Sequence, residues 1–449
     1  MRKAANDMDN LKNIANQALE ALKTAGAEKA KCDVGFSETH EFNVGRSKKD
    51  ELNVDGGKFS LFRTLFDKHL VMTAIKAGKK GSVRQNCYDH ETIVSAAEAC
   101  LATAESSLPD EAWDIAPLGE NRDFEYGAVK PDLDKFFFRC RELMDDISER
   151  YPKVIVEQMI MTHRETTSVH ANTNGVVFGE HCGSYSVEIM FSAHEGELAS
   201  SFSGSYFKTD NLDTRFIDCA GVAKDLSDIE KQITTRTLDG KFSGVMILTP
   251  GCLREFLSFA LGSFTGEVGL LEGTSPWKDK LGQQVADTSI TVSDVPSDPR
   301  IICGEKVTAD GFAAGDYSII KDGILESFMI SQYVANKTGF PRAKNTSGSI
   351  VMKNGGKPLD EIIAGIDKGI VVGRFSGGQP SSNGDFSGVA KNSFLVENGK
   401  ITDALSETMI SGNLADMLNS VYGISSETVA DGSSVLPYAA FSGITVSGK

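Results

Sequence analysis

The sequence is poor in the features that mark several common protein classes. Basic residues are scarce relative to acidic ones, since 46 Lys and Arg stand against 62 Asp and Glu and give a net charge of −16. Because nucleic-acid-binding proteins neutralise phosphates with Lys and Arg, this balance disfavours direct binding to nucleic acid. No apolar run reaches the ~18 residues of a membrane span, and the N-terminus lacks the apolar core of a signal peptide. We therefore expect a cytoplasmic protein without membrane contact.

Common catalytic and metal-binding motifs are also absent. No two of the eight cysteines are closer than 13 residues, so there is no C-x-x-C pair of the kind that binds zinc. We expect most of them to be small buried residues in a reducing compartment. The sequence has no G-x-S-x-G, no G-x-x-x-x-G-K-[ST] and no G-x-G-x-x-G. These absences disfavour an α/β-hydrolase, a P-loop NTPase and a dinucleotide enzyme.

One segment departs from the acidic balance. Residues 46–84 carry ten basic side chains against four acidic ones. The segment could be a nucleic-acid patch, but most of its aromatic residues lie in apolar runs that are typical of a core. A solvated face of a sheet is the interpretation that the pattern favours.

Glycine divides the chain into two regions. Residues 1–239 hold 15 glycines, whereas residues 240–449 hold 29. Dense glycine with few long amphipathic stretches indicates many tight turns. We expect an α+β fold, with an N-terminal helix-and-antiparallel-sheet region followed by a β-rich, turn-dense C-terminal domain. The predicted domains are 1–110, 120–225 and 230–449, with a polar linker over 107–132.

Local signals place several elements with a physical reason. Asp89 is a good N-cap for a helix that continues through Ile93, Ala97 and Leu101. Asp322-Gly323 and Asn398-Gly399 each separate two β-forming runs. Both central residues of a type I′ turn need positive φ, so each pair predicts a β-hairpin.

Histidines offer the first candidate chemistry. His163, His170, His181 and His194 lie in one stretch of short strands with glutamates beside them. A zinc site would need their side chains to converge on one point at ~2.0–2.2 Å. His194-Glu195 and His90-Glu91 have no second histidine four or five residues later. Exposed strand and turn residues are the favoured interpretation, and a metal site remains the alternative.

A glycine-rich segment offers the second candidate. Residues 373–390, GRFSGGQPSSNGDFSGVA, hold five glycines and four serines. Such sequences either form bulges and turns or let a backbone approach another chain closely. Both interpretations remain open at this point.

The C-terminal region resembles a known family. Residues 383–417, NGDFSGVAKNSFLVENGKITDALSETMISGNLADML, resemble the C-terminal signature of the TldD/TldE (PmbA) proteins. The matching features are Asn-Gly-Asp-Phe-Ser-Gly, an apolar hairpin with Asn-Gly, and Ser-Gly-Asn-Leu before a helix. Residues 244–266 and the hairpin at Asp322-Gly323 follow the same family's order, and residues 77–107 resemble its N-terminal domain. The resemblance therefore covers nearly the whole chain.

The resemblance points to one branch of that family. The TldD branch is similar to a metallopeptidase with H-E-x-x-x-H on a helix and a C-terminal cysteine as zinc ligands. Here the corresponding helix after Pro250 reads CLREFLSFALGSF without histidine, and no cysteine follows Cys303. The chain is thus similar to the TldE (PmbA) branch, which carries the older label of modulator of DNA gyrase. That branch implies a heterodimer in which TldD supplies zinc and the two subunits enclose an unfolded peptide for maturation or degradation.

From these observations we expect a metal-free partner subunit of a TldD/TldE-type metallopeptidase complex. No catalytic or metal-binding residue and no cofactor is expected in this chain, and its own enzymatic activity is left open. The residues that we expect to contact a peptide or the partner are Gly377, Gly378, Asn383, Gly384, Asp385, Phe386 and Ser387. Alternatives are a metallopeptidase that uses His163, His170 and His181, and a homodimeric scaffold that binds peptides without hydrolysis.

Overall fold

Two β-sheets with helices packed on them organise the protein. The structure, a computed structural model, describes residues 2–45, 59–345, 347–406 and 408–448. This described part contains an eight-stranded sheet, a twelve-stranded sheet and nine α-helices. The α+β expectation is confirmed. Residues 46–58 of the basic segment lie outside the described residues.

The first sheet and its helices are formed by residues 2–231, which we call the first part. Its elements are α1 Arg2–Ala25, β1 Lys29–Val44, β2 Phe59–Lys76, β3 Lys79–Gln85, α2 His90–Ser106, β4 Arg122–Gly127, α3 Leu133–Arg150, β5 Val154–Asn172, β6 Val177–Glu195, β7 Leu198–Ala199, β8 Ser203–Thr209 and α4 Val222–Lys231. The strand order is β3-β2-β1-β5-β6-β4, and β7 and β8 also pair with β6. Because β1 pairs with β5, strands from the predicted domains 1–110 and 120–225 share one sheet; the domain boundaries themselves stay predictions.

The helices of the first part cover one face of this sheet. Leu11, Ala18 and Leu22 of α1 are fully buried, and they pack with buried residues of α2, β1, β2 and β5. Asp89 caps α2 as predicted, since its Oδ1 accepts from the Thr92 N–H at 3.0 Å. Of the described helices, none is both long and apolar enough to cross a membrane.

The expected linker over 107–132 was wrong in one respect. It contains β4, which pairs in parallel with β6 from Arg122 opposite Phe178 to Gly127 opposite Gly183. The sequence RDFEYG has no apolar run because β4 lies at the edge of the sheet and is mostly exposed. Propensity alone therefore gave no strand signal there.

Residues from 236 onward form the second part. Its elements are β9 Arg236–Thr237, β10 Lys241–Leu248, α5 Pro250–Thr265, α6 Glu267–Leu271, β11 Val292–Asp294, β12 Tyr317–Lys321, β13 Ile324–Leu325, α7 Gln332–Thr338, β14 Ile350–Met352, α8 Leu359–Ala364, β15 Lys368–Gly377, β16 Asp385–Glu397, β17 Lys400–Ser406, β18 Thr408–Asn413, α9 Leu414–Asn419, β19 Val421–Ala430 and β20 Val435–Ser447. The order β13-β12-β11-β14-β20-β10-β15-β16-β17-β9 forms the second sheet, to which β18 and β19 are also joined.

The two predicted hairpins are confirmed. Asp322 and Gly323 have φ of 47° and 80°, and Asn398 and Gly399 have φ of 51° and 76°. These positive values are those of a type I′ turn, whose twist matches the strands on either side. The hairpins join β12 to β13 and β16 to β17.

Candidate functional site

A cleft of about 820 Å³ lies between the first and second parts. The first part contributes residues of β8 and α4 to its walls. The second part contributes the N-terminal half of α5 and the end of β15. Polar side chains that line it include Ser205, Asp225, Arg254, Glu255, Arg374 and Asn392. Its size and mixed polar lining are typical of a ligand-binding site.

The strand β15 faces this cleft along an edge that no other strand covers, although the Gly373 carbonyl accepts from Thr249 Oγ1 at 3.4 Å and the Phe375 N–H donates to Glu255. The neighbouring strand β10 pairs with it only as far as Leu248 opposite Val372. The chain then turns into α5, because Thr249 caps the helix and Pro250 occupies its first turn, where a missing N–H is harmless. On the other side, β16 stays paired with β15 as far as Gly377. Residues 373–377 therefore have a strand partner on one side only.

Polar groups surround this edge. The Glu255 carboxylate accepts a hydrogen bond from the backbone N–H of Phe375, and burial raises the pKa of Glu255 against the opposing charge of Arg374. The Arg374 guanidinium lies 4.4 Å from the ring centre of Phe202. Arg374 Nε and Asn392 Oδ1 are buried and have no hydrogen-bond partner among the described residues. Buried polar atoms are normally paired. The unpaired donor of Arg374 and the unpaired acceptor of Asn392 could therefore bind a polar ligand.

Asp225 is the second notable group of the cleft. Its Oδ2 accepts a hydrogen bond from Ser205 Oγ at 2.7 Å. Burial raises the pKa of Asp225 to about 7, and the charge of Asp228 acts in the same direction. The carboxyl group therefore changes charge near neutral pH, where it can accept or release a proton inside the cleft.

This raised pKa predicts a pH dependence of stability. The folded protein holds the Asp225 proton more tightly than the unfolded chain, so this group's contribution to stability is lost as pH rises from about 4 to about 7. We expect Asp225→Asn to reduce the fall in the urea midpoint between about pH 5 and about pH 8. The exposed Asp239→Asn is the control and should leave that fall unchanged. An Asp225→Asn variant with the full wild-type fall would contradict the assignment.

The side chains at the cleft do not fit zinc. The helix α5 brings Cys252, Arg254, Glu255 and Ser258 to the cleft and contains no histidine. Burial raises the pKa of the Cys252 thiol well above its usual value, which disfavours the thiolate that a metal requires. Across the described ranges, no group of three or more His, Cys, Asp or Glu side chains could hold a metal ion. We therefore assign no step in this chain to a metal.

The structure does not bring the three candidate histidines together. His163 bonds the Ala128 carbonyl at 2.7 Å, His170 bonds Asp33 Oδ1 at 2.6 Å, and His181 bonds Glu165 Oε1 at 2.6 Å. Because side chains alternate along β5, His163 and His170, seven residues apart, point to opposite faces. The expectation that these histidines are exposed was wrong, since each is buried. Each has a carbonyl or carboxylate partner on one ring nitrogen, whereas His163 Nδ1 and His170 Nε2 are buried without a hydrogen-bond partner among the described residues.

The seven predicted contact residues fall into two groups. Gly377 and Gly378 line the cleft. Asn383, Gly384, Asp385, Phe386 and Ser387 lie outside its lining, in the turn before β16 and in the start of that strand. For this second group, contact with a peptide or a partner stays a prediction.

Within the turn, polar side chains stabilise the start of α9. Asn413 Nδ2 donates to Asp385 Oδ1 at 2.8 Å and to the Asn383 carbonyl at 3.0 Å. Asn413 Oδ1 accepts from the Ala415 N–H at 2.9 Å and so caps the helix. Asn383 Nδ2 in turn donates to Asp385 Oδ2 at 2.9 Å. The Asn-Gly-Asp and Ser-Gly-Asn-Leu motifs are therefore two halves of one structural unit.

The apolar members of the signature belong to the core. Gly384 has φ of 93°, and a Cβ there would lie 2.7 Å from the Phe264 ring. Phe386 is 3% exposed, and its ring centre lies 5.1 Å from that of Phe256. Ser387, by contrast, is exposed. Glycine and phenylalanine are thus required here by close packing.

Sequence reasoning missed the polar residues of the cleft. Arg374 lies inside the glycine-rich segment, where the single basic side chain was a usable signal. No sequence signal pointed to Asp225, Ser205 or Glu255. They come from three elements that only the tertiary fold brings together.

The comparisons with known proteins agree with one another, since each finds similarity to PmbA, TldD or TldE proteins. Residues 243–448 match the family model described as the PmbA/TldA metallopeptidase C-terminal domain. The chain is 24% identical to Metalloprotease PmbA of Escherichia coli O157:H7, over 95% of this chain and 94% of that protein. It is 26% identical to the zinc metalloprotease TldD homolog of Saccharolobus solfataricus, over 54% of this chain and 58% of that protein.

Two solved structures share the fold. TldE from Thermococcus kodakarensis superposes with a TM-score of 0.83 at 17% identity, covering 97% of this chain and 100% of that one. A protein from Bacteroides thetaiotaomicron, described as a proposed modulator of DNA gyrase, superposes with a TM-score of 0.85 at 24% identity, covering 98% and 99%. The arrangement of the two sheets is therefore common to all three chains.

Proposed function

The chain belongs to the PmbA/TldD family, and we propose that it is a metal-free subunit that binds unfolded peptides for a TldD-type metallopeptidase. The observation that carries this proposal is the cleft, where an open strand edge meets a set of side chains that does not fit zinc. An unfolded peptide is the ligand whose backbone can use such an edge. Proteolytic maturation or degradation of the peptide would then take place in the complex.

The peptide would add a strand beside residues 373–377. In β-augmentation, backbone hydrogen bonds supply affinity and side-chain pockets supply selectivity. Arg374 Nε and Asn392 Oδ1 offer an unpaired donor and acceptor next to that edge. Gly377 and Gly378 carry no side chains, so a second backbone can approach closely at the end of the strand.

The catalytic metal would come from the partner. One relative is named a zinc metalloprotease TldD homolog and a structural match is named TldE, which supports a pair of unlike subunits. Without that partner, the chain would form a homodimer. The net charge of −16 supports an indirect basis for the gyrase-modulator name, since direct contact with DNA would be repelled.

A bulky side chain at Gly378 tests the peptide path. A Cβ at Gly378 meets no atom within 4 Å and the residue does not have positive φ, so Gly378→Trp is compatible with the fold. The indole would occupy the end of the strand edge. We expect the affinity for a dye-labelled unfolded peptide to fall at least about tenfold, which corresponds to ~1.4 kcal/mol. Fluorescence anisotropy of the labelled peptide measures this affinity.

The matched control is Gly356→Trp. Gly356 is also exposed and open around a built Cβ, but it lies outside the cleft lining. Its substitution should leave peptide affinity unchanged. Equal affinities for the two variants would place the peptide elsewhere.

A further inference from the structure

Two cysteines from distant parts of the sequence meet at the junction of the first and second parts. Cys182 lies on β6, and Cys303 lies in the segment between β11 and β12. The Cys182 thiol is placed to donate a hydrogen bond to the Cys303 sulfur. Cys303 Sγ also donates to the Gly183 carbonyl at 3.2 Å, across 120 residues of sequence. Both thiols are free and half-buried, whereas Cys32, Cys100, Cys140 and Cys252 are buried.

The backbone around this pair is shaped to admit the second thiol. Gly127 and Gly183 are directly paired between β4 and β6, so no side chain covers the sheet there. A Cβ on Gly127 would lie 2.8 Å from Cys303 Sγ. Cys303 itself has φ of 53°, a left-handed value that non-glycine residues seldom adopt. The fold therefore holds Cys303 in a backbone conformation that is locally unfavourable. The Cys303 sulfur occupies a space that exists because Gly127 has no side chain.

We propose that Cys182 and Cys303 are a redox modification site, in which a low-molecular-weight disulfide such as oxidised glutathione converts the two thiols into an intramolecular disulfide. The bond would join β6 of the first sheet to the segment that carries Cys303. The proposal of this redox site does not depend on the proposed function.

The two thiols differ in reactivity in the way that such an exchange requires. The hydrogen bond from Cys182, together with the Ser184 side chain and the charge of Lys208, lowers the pKa of Cys303 although burial opposes them. The same thiol–thiol hydrogen bond and burial raise the pKa of Cys182. Because the thiolate is the attacking species, Cys303 reacts first and Cys182 resolves.

The exchange balances in two steps. The Cys303 thiolate attacks one sulfur of the glutathione disulfide, forms a Cys303–glutathione bond and releases one glutathione thiolate, which takes up the proton that Cys303 lost. Cys182 then loses its proton, attacks the Cys303 sulfur and releases the second glutathione as a thiol. Two protein thiols thereby lose two electrons and two protons, and the small disulfide gains both.

The bond would also constrain the wall of the cleft. The Ile302 N–H, next to Cys303, donates to the Gly432 carbonyl at 2.8 Å. Gly432 lies between Asp431 and Ser434, two residues of the cleft lining. In the disulfide form, the segment that hydrogen-bonds to this wall would be joined covalently to the first sheet.

Peptide mapping of the full chain after incubation with oxidised glutathione tests the proposal. Without reduction, mass spectrometry should find the peptides that contain Cys182 and Cys303 joined and lighter by two hydrogen atoms. A thiol titration should show two of the eight cysteines lost, and dithiothreitol should restore them. Absence of the joined peptides, or a joined pair that includes another cysteine instead, would overturn the proposal.

Variants test the order of the two steps. Cys182→Ser should retain glutathione on Cys303 as a mixed disulfide, and Cys303→Ser should leave Cys182 unmodified. Cys219→Ser is the matched control, because Cys219 is also half-buried and its thiol donates to the Arg215 carbonyl at 3.5 Å rather than to another cysteine. The Cys219→Ser variant should still form the Cys182–Cys303 bond. Glutathione trapped on Cys182 in the Cys303→Ser variant would contradict the assigned roles.

Discussion

Replacing Phe386 with alanine lowers the free energy of unfolding by ~3–5 kcal/mol, the usual range for removal of a buried aromatic ring. Phe386 is 3% exposed and lies in the core of the second part. Its ring stands nearly perpendicular to those of Phe256 and Phe375, at 5.1 and 6.1 Å between centres. The variant loses these edge-to-face contacts and leaves a cavity beneath β15, the strand that borders the cleft.

Urea denaturation followed by tryptophan fluorescence measures this loss, since Trp277 is buried in the same core. Ser387→Ala is the matched control, because the next side chain along β16 is exposed and its removal should change stability by no more than ~0.5 kcal/mol. A Phe386→Ala variant with wild-type stability and weakened peptide binding would show that this residue contacts a peptide and does not hold the core.

Local signals in the sequence were sufficient for much of the fold. Asp322-Gly323 and Asn398-Gly399 predicted hairpins because positive φ at two consecutive residues is a strictly local demand. Asp89 predicted the start of α2 because capping involves residues only three apart. The density of glycine in the second part predicted its many turns, because a tight turn likewise depends on the conformation of a few consecutive residues.

The candidate site depended on long-range pairing and was less predictable. The strand edge at 373–377 is open only because β10 ends at Leu248, more than a hundred residues earlier in the chain. The glycine-rich segment was rightly singled out as unusual, yet its chemistry depends on neighbours such as Asp225 and Glu255 that no spacing rule connects to it. Asn383 and Asp385 were selected as contacts because they lie in the glycine-rich segment, where a backbone can approach another chain closely. The structure gives both a role in the turn that supports α9.

Peptide binding and hydrolysis make different demands on the cleft. An open strand edge can hold a peptide, whereas hydrolysis by a zinc peptidase needs three metal ligands and an activated water. In the described residues the first property is present and no side-chain cluster suits the second. The proposed division of labour between two subunits rests on this difference.

The central claim is tested most directly by measuring zinc content and peptide cleavage for the purified chain, alone and with a TldD-type partner. A bound zinc ion supplies several kcal/mol of transition-state stabilisation, so the partner should raise cleavage of an unfolded peptide at least about 100-fold over the chain alone. We expect the chain alone to hold no stoichiometric zinc and to bind the peptide without cutting it. Stoichiometric zinc in the isolated chain, together with cleavage that the partner does not increase, would contradict the account.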